Sequence, residues 1–257
     1  MAGPTLAELR AEGQPPSVIS RLNDEHWLGR LYMRKLSPRA TWVFARLGWS
    51  PNAVTVSFIV CGLAAGAVVA FGGLGTAVAA AILIQAYLLF DCSDGELARW
   101  SKRTSVTGIY LDGVGHYLGE AALLVGLGVR AQGQLTLSGG YVSAGLAAAL
   151  LAVIVKAETD NVMVARAKAG LAGSHEEDAL TPRSQGLARA RRVASVLRVH
   201  RIIQAVELSA VILLAAIVDA VRGGLTVTRV LVVGCLAVAA AMVLAHLAAI
   251  LASRRLR

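Results

Sequence analysis

Asp91, Asp94, Asp112 and His116 are the residues of this 257-residue chain whose types and spacing could do chemistry. They lie in the stretch FDCSDGELARWSKRTSVTGIYLDGVGHYLGE, where two strongly apolar segments meet. Asp91 and Asp94 stand three apart, and Gly95 and Ala98 continue the same helical face. Asp112 and His116 stand four apart, with Gly108 one turn before Asp112. Residues three or four apart project from one side of a helix. Two helices meeting on these faces therefore gather three carboxylates and an imidazole. Carboxylates that close repel one another unless a cation neutralises them, and Mg²⁺ or Mn²⁺, which take oxygen ligands and suit phosphate chemistry, are the matching ions. A carboxylate beside a membrane is costly and marks a functional site.

The elements that must position these groups are long apolar helices. The chain is 56% hydrophobic and 16% charged, with mean hydropathy +0.63, too apolar for a soluble domain of this length. A membrane span needs about 20 apolar residues. Six blocks meet that length, at 52–72, 74–98, 106–130, 139–165, 201–222 and 227–252. The expected fold is an all-α polytopic membrane protein with about six transmembrane helices. Residues 1–49 are expected to form a cytosolic tail and interfacial helix, and residues 50–257 a six-helix membrane domain. No cleavable leader is expected, because the first 25 residues are polar.

The net charge of +9 is distributed by side. Seven Lys/Arg precede Ser50, three lie between Arg99 and Arg103, eight fall in 166–201 and three close the chain, against only Arg130, Arg222 and Arg229 in the opposite loops. The positive-inside rule then places both termini, and the acidic site, on the cytoplasmic side of the cell membrane. The basic faces suit anionic headgroups. Nucleic acid is excluded as a partner, since no recognition motif accompanies the charge. Cys61, Cys92 and Cys235 fit neither zinc spacing nor a disulfide framework and read as small buried residues, with Cys92 pointing away from the Asp91–Asp94 face.

Residues 1–24, with Gly3, Pro4, Gly13, Pro15 and Pro16, read as a mobile tail or a loosely docked helix. Residues 25–47 read as an amphipathic interfacial helix interrupted near Pro38, with Trp27, Leu28, Leu31 and Tyr32 alternating with Arg30, Arg34 and Lys35. Ser50 and Pro51 suit the N-cap and first position of the first span. The basic run RARRVASVLR within 167–200 reads as a solvated face or as a site for acidic lipid or a phosphorylated substrate.

The motif resembles the signature of the CDP-alcohol phosphotransferase (CDP-alcohol phosphatidyltransferase) family: Asp, two residues, Asp-Gly, two residues, Ala-Arg, eight residues, Gly, three residues, Asp, three residues, Asp. The chain matches it from Asp91 to Asp112 and departs at the last position, where His116 replaces the fourth aspartate. The resemblance implies metal-dependent transfer of a phosphatidyl-type group from a CDP-linked lipid donor, such as CDP-diacylglycerol, to a small or phosphorylated alcohol, releasing CMP in phospholipid synthesis. It implies Asp91, Asp94, Asp112 and the His116 position as the metal set, and a homodimer. Gly95, Ala98 and Gly108 would admit close approach of the nucleotide, Gly108 serving equally as a helix contact, and Arg99 would contact phosphate. Asn52 and Thr55, in a Pro-Asn-x-x-Thr segment like that of the family, are candidates for CDP binding or for simple helix capping.

For His116 three readings stand: general base for the acceptor hydroxyl, metal ligand in place of carboxylate, or mark of a weakened site. Asp112 shares the catalytic assignment, and Glu120, one turn on from His116, is a candidate for the missing carboxylate. Lys156 and Arg166 could read an acceptor phosphate, as in relatives using inositol or glycerol phosphate, or could pair internally with Glu158 or Asp160. Glu207 and His246 read as packing residues. The rival reading is a catalytically silent lipid- or nucleotide-binding membrane protein of the same fold. A transporter is disfavoured by the fixed Asp-Gly-x-x-Ala-Arg spacing and by the lack of an inverted repeat.

Overall fold

The computed structural model describes residues 4–16, 29–171 and 203–252. The described residues form helices and no strand: α1 (Leu6–Gly13), a π-helical turn (Gly29–Met33), α2 (Arg34–Arg46), α3 (Pro51–Ala70), α4 (Leu74–Trp100), α5 (Val106–Gln132), α6 (Gly140–Lys168), α7 (Ala205–Arg222) and α8 (Thr226–Ala252). The six blocks expected from hydropathy are thus six helices, α3 to α8. Four of them, α3, α4, α6 and α8, are long and apolar enough to cross a membrane. In the other two the charged residues are spread along the helix: Asp112, Glu120 and Arg130 in α5, and Glu207, Asp219 and Arg222 in α7. Apolar side chains such as Val60, Ile82, Leu150, Leu214 and Val230 lie exposed on the bundle, as they should where lipid rather than water is the solvent. The chain is an all-α polytopic membrane protein.

Local chemistry sets the helix starts. Ser50 Oγ accepts from the Ala53 N–H at 3.2 Å, and Pro51 takes the first helical position of α3, where its missing N–H costs nothing. Ser105 Oγ accepts from the Gly108 N–H at 3.0 Å and opens α5. These two caps place the start of α3 and the start of α5 side by side, at the end of α4 that carries the acidic motif.

Close backbone approach holds α3, α4 and α5 together. The α3–α5 contact is the most extensive in the bundle. A Cβ at Gly66 would overlap the Ala122 carbonyl, and one at Gly126 would overlap the Gly66 carbonyl. Gly115 leaves room for the Phe58 ring, which meets Tyr87 of α4 edge-on at 5.0 Å. Small residues are how membrane helices pack without a hydrophobic drive between them.

In the N-terminal region the docked-helix alternative for residues 1–24 fits the described part, whereas the interruption near Pro38 is not seen. Leu6–Gly13 is a docked helix with a Thr5–Glu8 capping box, and its Leu9 is fully buried. Pro38 does not interrupt α2, which runs unbroken from Arg34 to Arg46. A proline removes the N–H that would bond to the carbonyl four residues back. That carbonyl, of Arg34, accepts instead from Gln14 Nε2 at 2.8 Å, so the lost helix bond is replaced by a long-range one. Trp27, Leu28, most of the basic 166–201 segment and the C-terminal arginines lie outside the described residues.

Candidate functional site

The N-terminal ends of α3 and α5 and the C-terminal third of α4 enclose a cavity of about 590 Å³. The signature residues and the Pro-Asn-x-x-Thr pair line it: Asn52 and Thr55 from α3, Asp91, Asp94, Gly95, Ala98 and Arg99 from α4, and Gly108, Asp112 and His116 from α5. Arg34 of α2 and Arg103 of the α4–α5 turn complete a basic rim. The cavity therefore has acidic groups on the α4–α5 side and guanidinium groups around them, a charge pattern suited to a metal ion and an oligophosphate together.

Asp91, Asp112 and His116 converge within the cavity. One donor atom from each lies within 4.8 Å of the others. His116 Nε2 is 3.3 Å from Asp91 Oδ1 and 3.6 Å from Asp112 Oδ1. Two carboxylates about 4 Å apart repel by about 4 kcal/mol at the effective dielectric of a protein surface. Even a protonated imidazole leaves the trio with one excess negative charge, so a divalent cation fits the donor set: two carboxylates and a nitrogen able to converge on one point.

The other ring nitrogen is fixed by Tyr87, whose hydroxyl lies 2.9 Å from His116 Nδ1. Tyr87 is 1% exposed, and Phe58 packs against both rings. The bond leaves two tautomers. If Nδ1 accepts from the phenol, Nε2 carries a proton toward the carboxylates. If Nδ1–H donates to the phenol oxygen, Nε2 offers a lone pair to the cavity. Tyr87 was missed in the sequence reading, although it stands four residues before Asp91 on the same helical face.

Asp94 plays a separate part in the geometry. It is 7% exposed, and its Oδ2 accepts from Thr55 Oγ1 at 2.6 Å, while Thr55 also donates to the Pro51 carbonyl at 3.1 Å. Thr55 is thus neither a cap nor remote: it ties α3 to the acidic motif. Asn52 faces Gly108, where a Cβ would sit 3.1 Å from Asn52 Oδ1, so Gly108 serves the α3–α5 approach beside the cavity. A Cβ at Gly95 would sit 3.0 Å from Arg99 Nη1, so the missing side chain makes room for the Arg99 guanidinium.

Three expectations need correction. Cys92 is half-buried and lines the cavity instead of pointing away from it. On a helix that turns about 100° per residue, Cys92 lies only about 20° from Arg99, and the cavity covers that whole arc. Glu120 does not join the acidic group: its Oε1 pairs with Lys156 Nζ at 3.0 Å. Lys156 accordingly pairs across helices and not with Glu158 or Asp160. Glu158 instead meets His246 Nδ1 at 2.9 Å, and Asp160 accepts from the Tyr117 hydroxyl at 2.5 Å. His246 is thus an interhelical partner, as a packing residue should be.

No curated protein matches the chain. Residues 49–255 match the model of the CDP-alcohol phosphatidyltransferase family, whose members transfer phospho-alcohol groups and generally depend on a divalent metal. The match begins at the α3 cap and runs through all of α3 to α8, cavity included, and the chain therefore belongs to the CDP-alcohol phosphatidyltransferase family.

Proposed function

We propose that this protein is a multi-pass cell-membrane enzyme that transfers a phosphatidyl-type group from a CDP-linked lipid donor, such as CDP-diacylglycerol, to an alcohol acceptor, releasing CMP in phospholipid synthesis. The convergence of Asp91, Asp112 and His116 on one point of an arginine-rimmed cavity carries this reading. In it α3 to α8 all span the bilayer, the cavity opens to the cytoplasm, both termini are cytoplasmic and the active form is a homodimer.

Asp91, Asp94 and Asp112, with His116, would hold Mg²⁺ or Mn²⁺. Bound there, the ion would neutralise the donor pyrophosphate and the departing CMP. Arg99 would hold a donor phosphate through its planar fork. Gly95 keeps the wall low where Arg99 and the nucleotide approach, Ala98 and Gly108 leave room alongside, and Asn52 and Thr55 would supply polar contacts to the cytidine or ribose side. Thr55 also holds Asp94 in place through the 2.6 Å bond.

His116 acts through Nε2. As a general base it would take the acceptor proton at that atom, with Nδ1–H held on the Tyr87 oxygen. The 3.3 and 3.6 Å distances to the two carboxylates favour a second reading, in which the same atom is a metal ligand.

The test is CMP release from CDP-diacylglycerol by the purified protein with Mg²⁺ or Mn²⁺ and pooled alcohols. Metal-dependent release that requires one acceptor supports the transferase and names its acceptor class. Donor binding without release under every metal and acceptor favours a silent binding protein of the same fold.

A further inference from the structure

Glu96 and Leu97 are the two residues of the Asp-Gly-Glu-Leu-Ala-Arg run that do not line the cavity. Glu96 is nevertheless a carboxyl with 0% exposure. Burying such a group is costly unless it is hydrogen-bonded. Among the described residues its donors come from the N-terminal region: Gln14 Nε2 at 2.7 Å and Ser37 Oγ at 2.5 Å on Oε1, and Thr41 Oγ1 at 2.7 Å on Oε2. The same Gln14 amide donates its other hydrogen to the Arg34 carbonyl that Pro38 leaves open. Gln14 is thus held at two points, and α1 is fastened to α4 directly behind the acidic motif.

Gly13 lies in that seam. A Cβ there would sit 3.2 Å from Glu96 Cβ and 3.4 Å from Glu96 Cα, so the backbone of α1 touches the backbone side of α4. The Gly13 carbonyl accepts from Arg99 Nε at 2.7 Å. The guanidinium is rigid and planar, so fixing Nε fixes the plane of the whole fork. Its other end packs over Gly95 at the cavity wall.

We infer that α1 and Gln14 form a positioning strap: Glu96 clamps the strap, and the Gly13 carbonyl orients the Arg99 fork toward the donor's phosphates. The strap lies outside residues 49–255, so a segment beyond the family match completes a residue of the signature. The inference rests on the transferase reading, in which Arg99 meets the donor. A side chain at Gly13 pushes α1 off Glu96 and releases Arg99 Nε. Loss of the Gln14 amide frees two acceptors and loosens the same seam.

The experiment measures the affinity of the full-length protein in detergent for CDP-diacylglycerol, and separately for Mn²⁺, in Gly13→Val, Gln14→Ala, Arg99→Ala and the Gly13→Val/Arg99→Ala pair. Gly13→Ala serves if the valine variant does not fold. A hydrogen bond to a charged group is worth enough to weaken donor binding by roughly tenfold when lost. Gly13→Val should weaken donor binding by about that factor and Gln14→Ala by less, with Mn²⁺ affinity unchanged, and Gly13→Val should add nothing in the Arg99→Ala background. A merely structural strap would lower donor and Mn²⁺ binding together, or would add to Arg99→Ala, and either result overturns the inference. Wild-type donor affinity in both strap variants overturns it as well. Wild-type donor affinity in Arg99→Ala removes the donor role of Arg99 itself, and the strap's function with it.

Discussion

Two polar clusters occupy opposite ends of α5, about 27 Å apart along its axis, and they are built on opposite principles. At the far end, Asp219 is 4% exposed and each of its oxygens accepts a backbone N–H from the start of α8, Val227 at 2.8 Å and Thr228 at 2.8 Å. Arg130 of α5, 3% exposed, donates to Thr76 Oγ1 at 3.3 Å, and Arg229 Nε donates to the Ala131 carbonyl at 3.1 Å. There acceptors face donors and both signs of charge are present. At the near end, Asp91 and Asp112 converge with one imidazole, and Asp94 lines the same cavity. The first cluster ties the α7–α8 turn into the bundle. The second gathers more carboxylates than cations, an excess of negative charge that a bound cation would offset. Balanced charge belongs to the scaffold, and an excess of one sign marks the site.

Substitution should separate the two. The largest effect is on turnover: Asp91→Asn or Asp112→Asn should lower CMP release by a thousandfold or more, an order set by loss of an electrostatic catalytic group. Thermal unfolding in detergent should show these variants as stable as the parent or more so, because a repulsion has been removed. Turnover near the wild-type rate in either variant would erase the distinction between the clusters.

His116→Ala should come next, lowering turnover by about a hundredfold to ten-thousandfold if Nε2 is the base, with donor affinity nearly unchanged. A rise in the metal concentration needed for activation would assign His116 to the metal instead. His116→Asp sharpens the same point. It restores the family's fourth carboxylate, so half-maximal activation should need less metal, and an unchanged metal requirement would show that the fourth position does not sense the ion.

The scaffold cluster should respond in the opposite sense. Asp219→Ala leaves two α8 N–H groups without acceptors, a loss of about 1–3 kcal/mol. The unfolding temperature should fall while turnover per folded molecule holds. A loss of turnover without a fall in stability would place Asp219 in the site. The smallest effect is at the cap of α3: Ser50→Ala should cost about 1 kcal/mol, read by the same unfolding assay.

What the sequence conveyed, and what it did not, follows from the range of each interaction. The six long helices and the convergence of the Asp91 and Asp112 faces were legible, because hydropathy and a 3.6-residue period are local properties. Cys92 was misplaced because the face was drawn too narrowly for a cavity that reaches from Asp94 round to Arg99. The unbroken α2 was illegible at Pro38, since the replacement donor, Gln14, is 24 residues away. Lys156 could be expected to pair, but its partner Glu120 lies on another helix, where spacing carries no information. Glu96, a carboxyl in an apolar helix, implies buried donors, but Gln14, Ser37 and Thr41 lie 55 to 82 residues away in the sequence.

In the proposed mechanism the Asp91–Asp112–His116 group holds a divalent cation. The most direct measurement is Mn²⁺ binding to the purified protein by electron paramagnetic resonance, compared between wild type, Asp91→Asn and Asp112→Asn. Saturable binding in the wild type, lost or strongly weakened in both variants while Asp219→Ala keeps it, is the predicted result. Equal Mn²⁺ binding in wild type and both aspartate variants would contradict the claim.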